Sequence, residues 1–203
     1  MVNLIEFFHK NFIFDRRTIQ LSNHVLSLLE TDKTLLDVGC GDGTIASMIA
    51  SNNKKIEVHG IDVLIREKTK IPVTLFDGTH IPFPDSSFDY VSFIDVLHHT
   101  HTAEELLSES LRVARIGVII KDHICKNKLD YLFLKFMDDI GNKRFNIALP
   151  YNYLSKTEWQ QLFKKVHANV QKSILNLNLY RFPFNKLFDR DLHFISIITK
   201  NSV

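Results

Sequence analysis

The chain has 203 residues, 45% hydrophobic and 24% charged, which is ordinary composition for one globular domain with a full core. A formal net charge of +2 leaves no basic footprint of the kind a tight nucleic-acid binder carries. Two cysteines make no disulfide framework and point to a reducing, cytoplasmic setting.

The first ten residues do not read as a signal peptide, because Glu6 interrupts the apolar run and no basic start or cleavage site is present. No apolar run approaches the roughly twenty residues of a spanning helix. Leu4, Phe7, Phe8 and Phe12 recur at helical spacing. Asp15-Arg16-Arg17 breaks that pattern, and Ile19, Val25, Leu26 and Leu29 begin a second helix. Residues 1–30 therefore read as a helical cover over a sheet, in which Arg16 or Arg17 suits a ligand carboxylate.

Thr34 to Val38 is a short apolar run ending in Gly39-Cys40-Gly41-Asp42-Gly43, after which Ile45, Met48 and Ile49 follow helical spacing. The stretch reads strand, tight turn, helix. Glycines let the backbone turn sharply and let a ligand approach it closely. The third glycine comes one residue early for a dinucleotide fingerprint, and no Gly-Lys-Ser/Thr follows to make a phosphate loop. Asp42 in the turn suits a cationic ligand better than a pyrophosphate. Ile56 to Asp62 is the second strand, and Asp62 stands nineteen residues after Gly43, where a carboxylate accepts ribose hydroxyls.

Asp37-Val38-Gly39-Cys40-Gly41-Asp42-Gly43 closely resembles motif I of class I S-adenosylmethionine-dependent methyltransferases, and Asp62 resembles the acidic residue of their motif II. A third strand, Val73 to Phe76, leads into Asp77-Gly78-Thr79-His80-Ile81-Pro82-Phe83-Pro84-Asp85-Ser86-Ser87-Phe88-Asp89. That loop is similar to one in the ubiquinone- and menaquinone-methyltransferase-like branch (methyltransferase type 11). The resemblance implies that Asp77 accepts the adenine amino group, with Gly78 and Thr79 offering backbone N–H to the ring. It further implies that Asp37 orients the methionine amino group, that Gly39 and Gly41 let the methionine moiety lie on the backbone, and that the Asp95 carbonyl assists.

Tyr90 to Ile94 is the fourth strand, led by Asp89, with Asp95-Val96-Leu97-His98-His99-Thr100 at its carboxyl end. Ligands of open α/β sheets bind at that end. The hexapeptide is not the Asn/Asp-Pro-Pro-Tyr/Phe of nucleic-acid N-methyltransferases. Thr102 to Glu105 reads as a capping box, and Arg115 to His123 as the fifth strand. His98 and His123 lie at the ends of adjacent strands and are the candidate general bases, since imidazole titrates near neutral pH. No metal site is expected.

Residues 124–154 form a long insertion, in which Leu129, Leu132, Phe133, Phe136, Met137 and Ile140 fit a helix that stops at Gly141-Asn142. Its length suggests a lid whose apolar stripe faces the substrate, with Arg144 or Arg181 near any anionic group. Ser155 to Glu158 is a second capping box, opening a helix through Trp159, Leu162, Phe163 and Val166. Leu175, Leu177 and Leu179 alternate as a strand, Tyr180 to Asp191 is an aromatic-rich loop, and Phe194 to Ile198 is the last strand.

The resemblance thus implies a Rossmann-like α/β class I methyltransferase fold. Its seven-stranded, mostly parallel sheet has order 3-2-1-4-5-7-6, with helices on both faces, and residues 34–123 form the cofactor-binding core. The expected function is methyl transfer from S-adenosyl-L-methionine to a small-molecule acceptor, apolar or aromatic-bearing, with peripheral membrane contact and no nucleic-acid partner. Two other readings stand beside it: an NAD-dependent oxidoreductase, and a non-catalytic S-adenosylmethionine-binding module.

Overall fold

The computed structural model describes residues 15–52, 55–142, 149–189 and 191–201. The expected helix around Phe7, Phe8 and Phe12, and Arg144, lie outside them.

The chain runs α1 (Asp15–Leu26), β1 (Thr34–Val38), α2 (Thr44–Asn52), β2 (Glu57–Asp62), β3 (Val73–Leu75) and β4 (Phe88–Ile94). A 3-10 turn (Leu97–His99), α3 (Ala103–Val113) and β5 (Ala114–His123) follow. The remainder is α4 (Lys128–Asn142), α5 (Lys156–Lys165), β6 (Ala168–Ile174), α6 (Asn185–Phe188) and β7 (His193–Lys200). The seven strands form one sheet of order β3-β2-β1-β4-β5-β7-β6. Strands β1 to β5 pair in parallel, and β7 runs antiparallel to both β5 and β6. This is the topology expected above, and it brings the carboxyl ends of β1 to β5 to one edge.

Period-two alternation sends neighbouring strand residues to opposite faces. Leu35 packs with Leu21, Val25 and Ile49 beneath α1 and α2. Leu36 and Val38 pack on the other face with Leu106, Leu107, Trp159 and Phe163 of α3 and α5. Each such fully buried side chain contributes about 1.5–3 kcal/mol.

Four local expectations are corrected. Asp15-Arg16-Arg17 is itself helical, within α1, where an acidic residue in the first turn suits the helix dipole. The penultimate strand is Ala168–Ile174, not Leu175–Leu179. This edge strand is exposed on both faces from Asn169 to Ser173 and so shows no apolar alternation, whereas Leu177 and Leu179 are buried outside any strand, under the α1 face. Thr102 makes no side-chain cap, since its hydroxyl stands 3.0 Å from that of Thr100 instead. The aromatic-rich segment contains the short helix α6. The Ser155 capping box forms as expected, with both reciprocal bonds present.

Candidate cofactor and acceptor site

Gly39 and Gly41 have φ of +71° and +60°, a left-handed backbone that disfavours any side chain. At Gly39 a Cβ would also stand 2.7 Å from a Val96 methyl carbon, whereas at Gly41 it would meet nothing, so the turn is open on that side. Asp42 proves to be a helix cap: its Oδ1 accepts from the Thr44 backbone N–H at 3.0 Å and the Thr44 hydroxyl at 2.7 Å.

Asp62 ends β2 beside this turn. Its Oδ2 accepts from Gly41 N–H at 2.8 Å and its Oδ1 from Leu64 N–H at 2.9 Å. The carboxylate is thereby fixed in orientation, and each oxygen keeps acceptor capacity. Asp77, one strand further out, is exposed. Its Oδ1 accepts from Thr79 and His80 N–H, both at 2.7 Å, which holds its carboxyl below the usual range. Of the two amides expected to serve a ring, that of Thr79 is therefore committed within the loop, leaving Gly78, where φ is +88°. Between the two carboxylates Val63, Leu64 and Ile65 stand about half exposed. They form an apolar platform that the sequence reading missed. The signal was an apolar run directly after an acidic strand end.

Asp37 is buried and accepts from the Ser92 hydroxyl at 2.7 Å. Burial, opposed by that bond and reinforced by the Asp62 charge, raises its pKa to about 7. A cationic amine placed beside it would draw out the charged form.

The ends of β4, β5 and β7 hold a second, denser cluster. Asp95 leaves β4 with φ of +57° and is ion-paired to both Lys121 and Arg17. Burial opposes its charge, yet these two cations hold the carboxyl well below the usual range. Arg17 is thus committed to Asp95, while Arg16 donates to the Asn178 carbonyl at 3.2 Å. Register pairs His123 with His193. His193 Nε2 lies 2.8 Å from the Phe188 carbonyl, which requires a proton on Nε2 and leaves Nδ1 as acceptor. His123 Nδ1, 3.0 Å away, then donates to it, so His123 Nε2 carries the lone pair. Burial and the Lys121 charge push both imidazoles well below their ordinary pKa, so both are neutral.

His98 is set differently. Its Nδ1 is 2.6 Å from Asp122 Oδ1 and its Nε2 is 3.1 Å from Asp138 Oδ2. Burial lowers its pKa, but the two carboxylates prevail and raise it to about 10. His98 is therefore an imidazolium at neutral pH and cannot serve as a base there, whereas His123 is the unprotonated member of the pair, its Nε2 3.4 Å from Asp95 Oδ1. Asp138 comes from α4 and also accepts from the Tyr153 hydroxyl. Lys121, His193, Asp138 and Tyr153 were not singled out from the sequence. Lys121 alone gave a signal, as a charge inside a buried apolar strand.

On the insertion helix Asp130, Leu134 and Asp138 are buried, Phe133 and Met137 are partly buried, with Met137 packed against the core, and Leu129, Leu132, Phe136 and Ile140 are each at least half exposed. Arg181 is likewise exposed. A cleft of about 550 Å³ lined by Leu97, Thr100, Tyr151, Tyr153, Trp159 and Leu162 lies beside α3 and α5, and none of Asp37, Gly39, Gly41, Asp62 and Asp77 lines it.

The residues at the ends of β1 to β3 fit S-adenosylmethionine. Paired acceptors on Asp62 suit a ribose diol, and the apolar platform with Asp77 suits an adenine and its amino group. The open side of Gly41 leaves room over the turn, and Asp37 suits an ammonium.

Fold and site together resemble those of class I S-adenosylmethionine-dependent methyltransferases. Residues 36–120 match the family described as Methyltransferase domain. The chain is 26% identical over 118 residues to 27-O-demethylrifamycin SV methyltransferase of Amycolatopsis mediterranei, covering 51% of this chain and 43% of that one. It is 27% identical over 142 residues to the ubiquinone/menaquinone biosynthesis C-methyltransferase UbiE of Cupriavidus pinatubonensis, covering 61% and 58%. It spans about half the length of these curated relatives. Among solved structures, the PH0226 protein of Pyrococcus horikoshii superposes with a TM-score of 0.68 at 17% identity, covering 95% of this chain and 98% of that one.

Proposed function

We propose that this chain transfers the methyl group of S-adenosylmethionine to a small-molecule acceptor held at the carboxyl ends of β4 and β5. The observation that carries this reading is the joint placement of Asp62 and Asp77, at the ends of β2 and β3, beside the positive-φ glycine turn. NAD carries an adenosine too, so what weighs against a dinucleotide is Asp42 in the glycine turn, where a carboxylate is a poor neighbour for a pyrophosphate.

When bound, the cofactor supplies a sulfonium-borne methyl that is already electrophilic. The chain's task is then to hold the acceptor in line and exclude water, and positioning alone supplies up to about 7–11 kcal/mol. His123 Nε2, neutral and unprotonated, is the group suited to take a proton from a hydroxyl acceptor, while His98, held cationic, provides fixed positive charge. Segment 124–154 acts as the lid, with α4 drawing Asp138 and Tyr153 over His98.

The acceptor is apolar or aromatic-bearing and lipid-linked. In support, one relative is named for ubiquinone and menaquinone, and the outward stripe of α4 offers contact with a lipid surface. Among the described residues no helix is long and apolar enough to cross a membrane. Both cysteines are unpaired, in keeping with a reducing, cytoplasmic setting.

The test is incubation of the full chain with labelled S-adenosylmethionine and a lipid extract, followed by mass analysis. A product heavier by one methyl group supports the reading. Thermal stabilisation by NAD and none by S-adenosylmethionine would replace it with the oxidoreductase.

A further inference from the structure

The His98–Asp138 neighbourhood contains more than a charge pair. His98 and His99 are successive residues of the 3-10 turn, with ring centroids 3.9 Å apart. His98 Nε2 and His99 Nδ1 are both buried and without a hydrogen-bond partner. His98 Nε2 lies 3.1 Å from Asp138 Oδ2, off the direction of a hydrogen bond. A buried ring nitrogen without a partner is costly, and here two converge on one carboxylate.

We propose that His98 Nε2, His99 Nδ1 and the Asp138 carboxylate form a binding site for one divalent transition-metal ion such as zinc(II) or iron(II). One ligand atom from each of His98, His99 and Asp138 lies within 4.8 Å of the other two. Ligands held about 2.0–2.2 Å from a tetrahedral ion stand roughly 3.3–3.5 Å apart, so a small closing movement completes the set. Two imidazoles and one carboxylate are donors that first-row transition metals prefer, and they leave a position open for water or a substrate oxygen.

The surrounding residues match what such a site needs. Asp122 Oδ1, 2.6 Å from His98 Nδ1, fixes the ring so that Nε2 points at Asp138. This is the carboxylate–histidine–metal arrangement that orients a ligand imidazole. Tyr153 donates to Asp138 and stacks on the His98 ring at 5.3 Å, holding both from the other side. On binding, the ion replaces the His98 Nε2 proton, which leaves to solvent. The sequence reading expected no metal.

The test uses the full chain freed of metal by a chelator and titrated with cobalt(II), without S-adenosylmethionine, so it stands apart from the methyl-transfer reading. The expected result is one saturating equivalent with visible d–d absorption of a low-symmetry site, displaced by zinc(II). His99→Ala is expected to weaken binding on the order of 100-fold, and Asp122→Asn about 10- to 100-fold through the misoriented His98. His99 is only partly buried, so its loss leaves the fold intact, which circular dichroism verifies. The exposed His167→Ala is expected to bind as the wild type does. Absence of saturable absorption in the wild type, or equal affinity in folded His99→Ala, would overturn the site.

Discussion

His98 Nδ1 stands 2.6 Å from Asp122 Oδ1 with both side chains fully buried, and this pair ties the turn after β4 to the end of β5. Asp122 also accepts from Leu97 N–H at 3.1 Å and His123 N–H at 2.7 Å, so one carboxylate joins the 3-10 turn to β5. The folded pKa of His98, about 10, lies above its unfolded value of 6.5. Its stabilisation is therefore fully present below about pH 6.5 and is lost as pH rises toward about 10. The melting temperature should fall across that range, and His98→Gln should flatten the fall. His98→Ala should cost about 3–5 kcal/mol, by leaving two buried carboxylates without their cation. Denaturant titration measures the cost, and an unchanged midpoint would show that the pair carries no net stabilisation.

Asp62 offers the most direct test of the cofactor site. Substitution by Ala removes the acceptor proposed for the ribose hydroxyls and should weaken S-adenosylmethionine binding by about 1.5–3 kcal/mol, the scale of hydrogen bonds to a charged group. Because Asp62 also anchors Gly41 and Leu64, calorimetry on Asp62→Asn is the companion measurement. That variant retains one acceptor oxygen and should fall between the two. Unchanged affinity in both folded variants would remove Asp62 from the site.

Asp37 makes a prediction about pH. Its pKa of about 7 in the free chain should drop when an ammonium lies beside it. Affinity for S-adenosylmethionine should then rise as pH increases from about 6 to about 8, because the ionised form binds better. Asp37→Asn should show a flat profile across that window. A wild-type profile as flat as that of the variant would mean that Asp37 does not face the amine.

The sheet was legible because strand and turn signals are local. Apolar runs ended by Gly39 and Asp95 placed β1 and β4, a shorter run before Lys121 placed β5, each within a residue or two, and spacing from Gly43 placed Asp62 at the end of β2. The strand-end cluster was less legible because its members come from distant segments. Arg17, Asp95, Lys121, Asp138 and His193 meet only once the sheet is assembled. Helix α4 shows the limit most clearly: periodicity located it, but not the partners of its buried aspartate, because Asp138 meets His98 and Tyr153, which come from separate segments.

His123 and His98 predict different kinetic outcomes. If the acceptor is a hydroxyl, His123→Gln should lower kcat about 10²- to 10⁴-fold, as loss of a general base does. The deficit should shrink as pH rises and the acceptor ionises unaided. A conserved kcat with an unaltered pH profile would show that the chain catalyses by positioning only.

The outward face of α4 makes the last prediction. Leu129, Leu132, Phe136 and Ile140 fall at i, i+3, i+7 and i+11, and each is at least half exposed. Lys126 and Lys128 are exposed at the start of this stripe. A helix with an apolar stripe and basic residues at one end is suited to lie on an anionic lipid surface. Exposed side chains contribute little to folding, so Leu132→Ser and Phe136→Ser should each change stability by less than about 0.5 kcal/mol. The double variant should nevertheless lose most binding to vesicles containing phosphatidylglycerol in a flotation assay. Wild-type binding should weaken with salt, because the lysine contribution is screened. Hydrogen exchange in residues 126–142 should slow when such vesicles are present and stay unchanged in the double variant. A wild-type chain that ignores the vesicles, or a double variant that binds them equally well, would leave α4 as a cover for His98 and nothing more, and would remove the reason for expecting a lipid-linked acceptor.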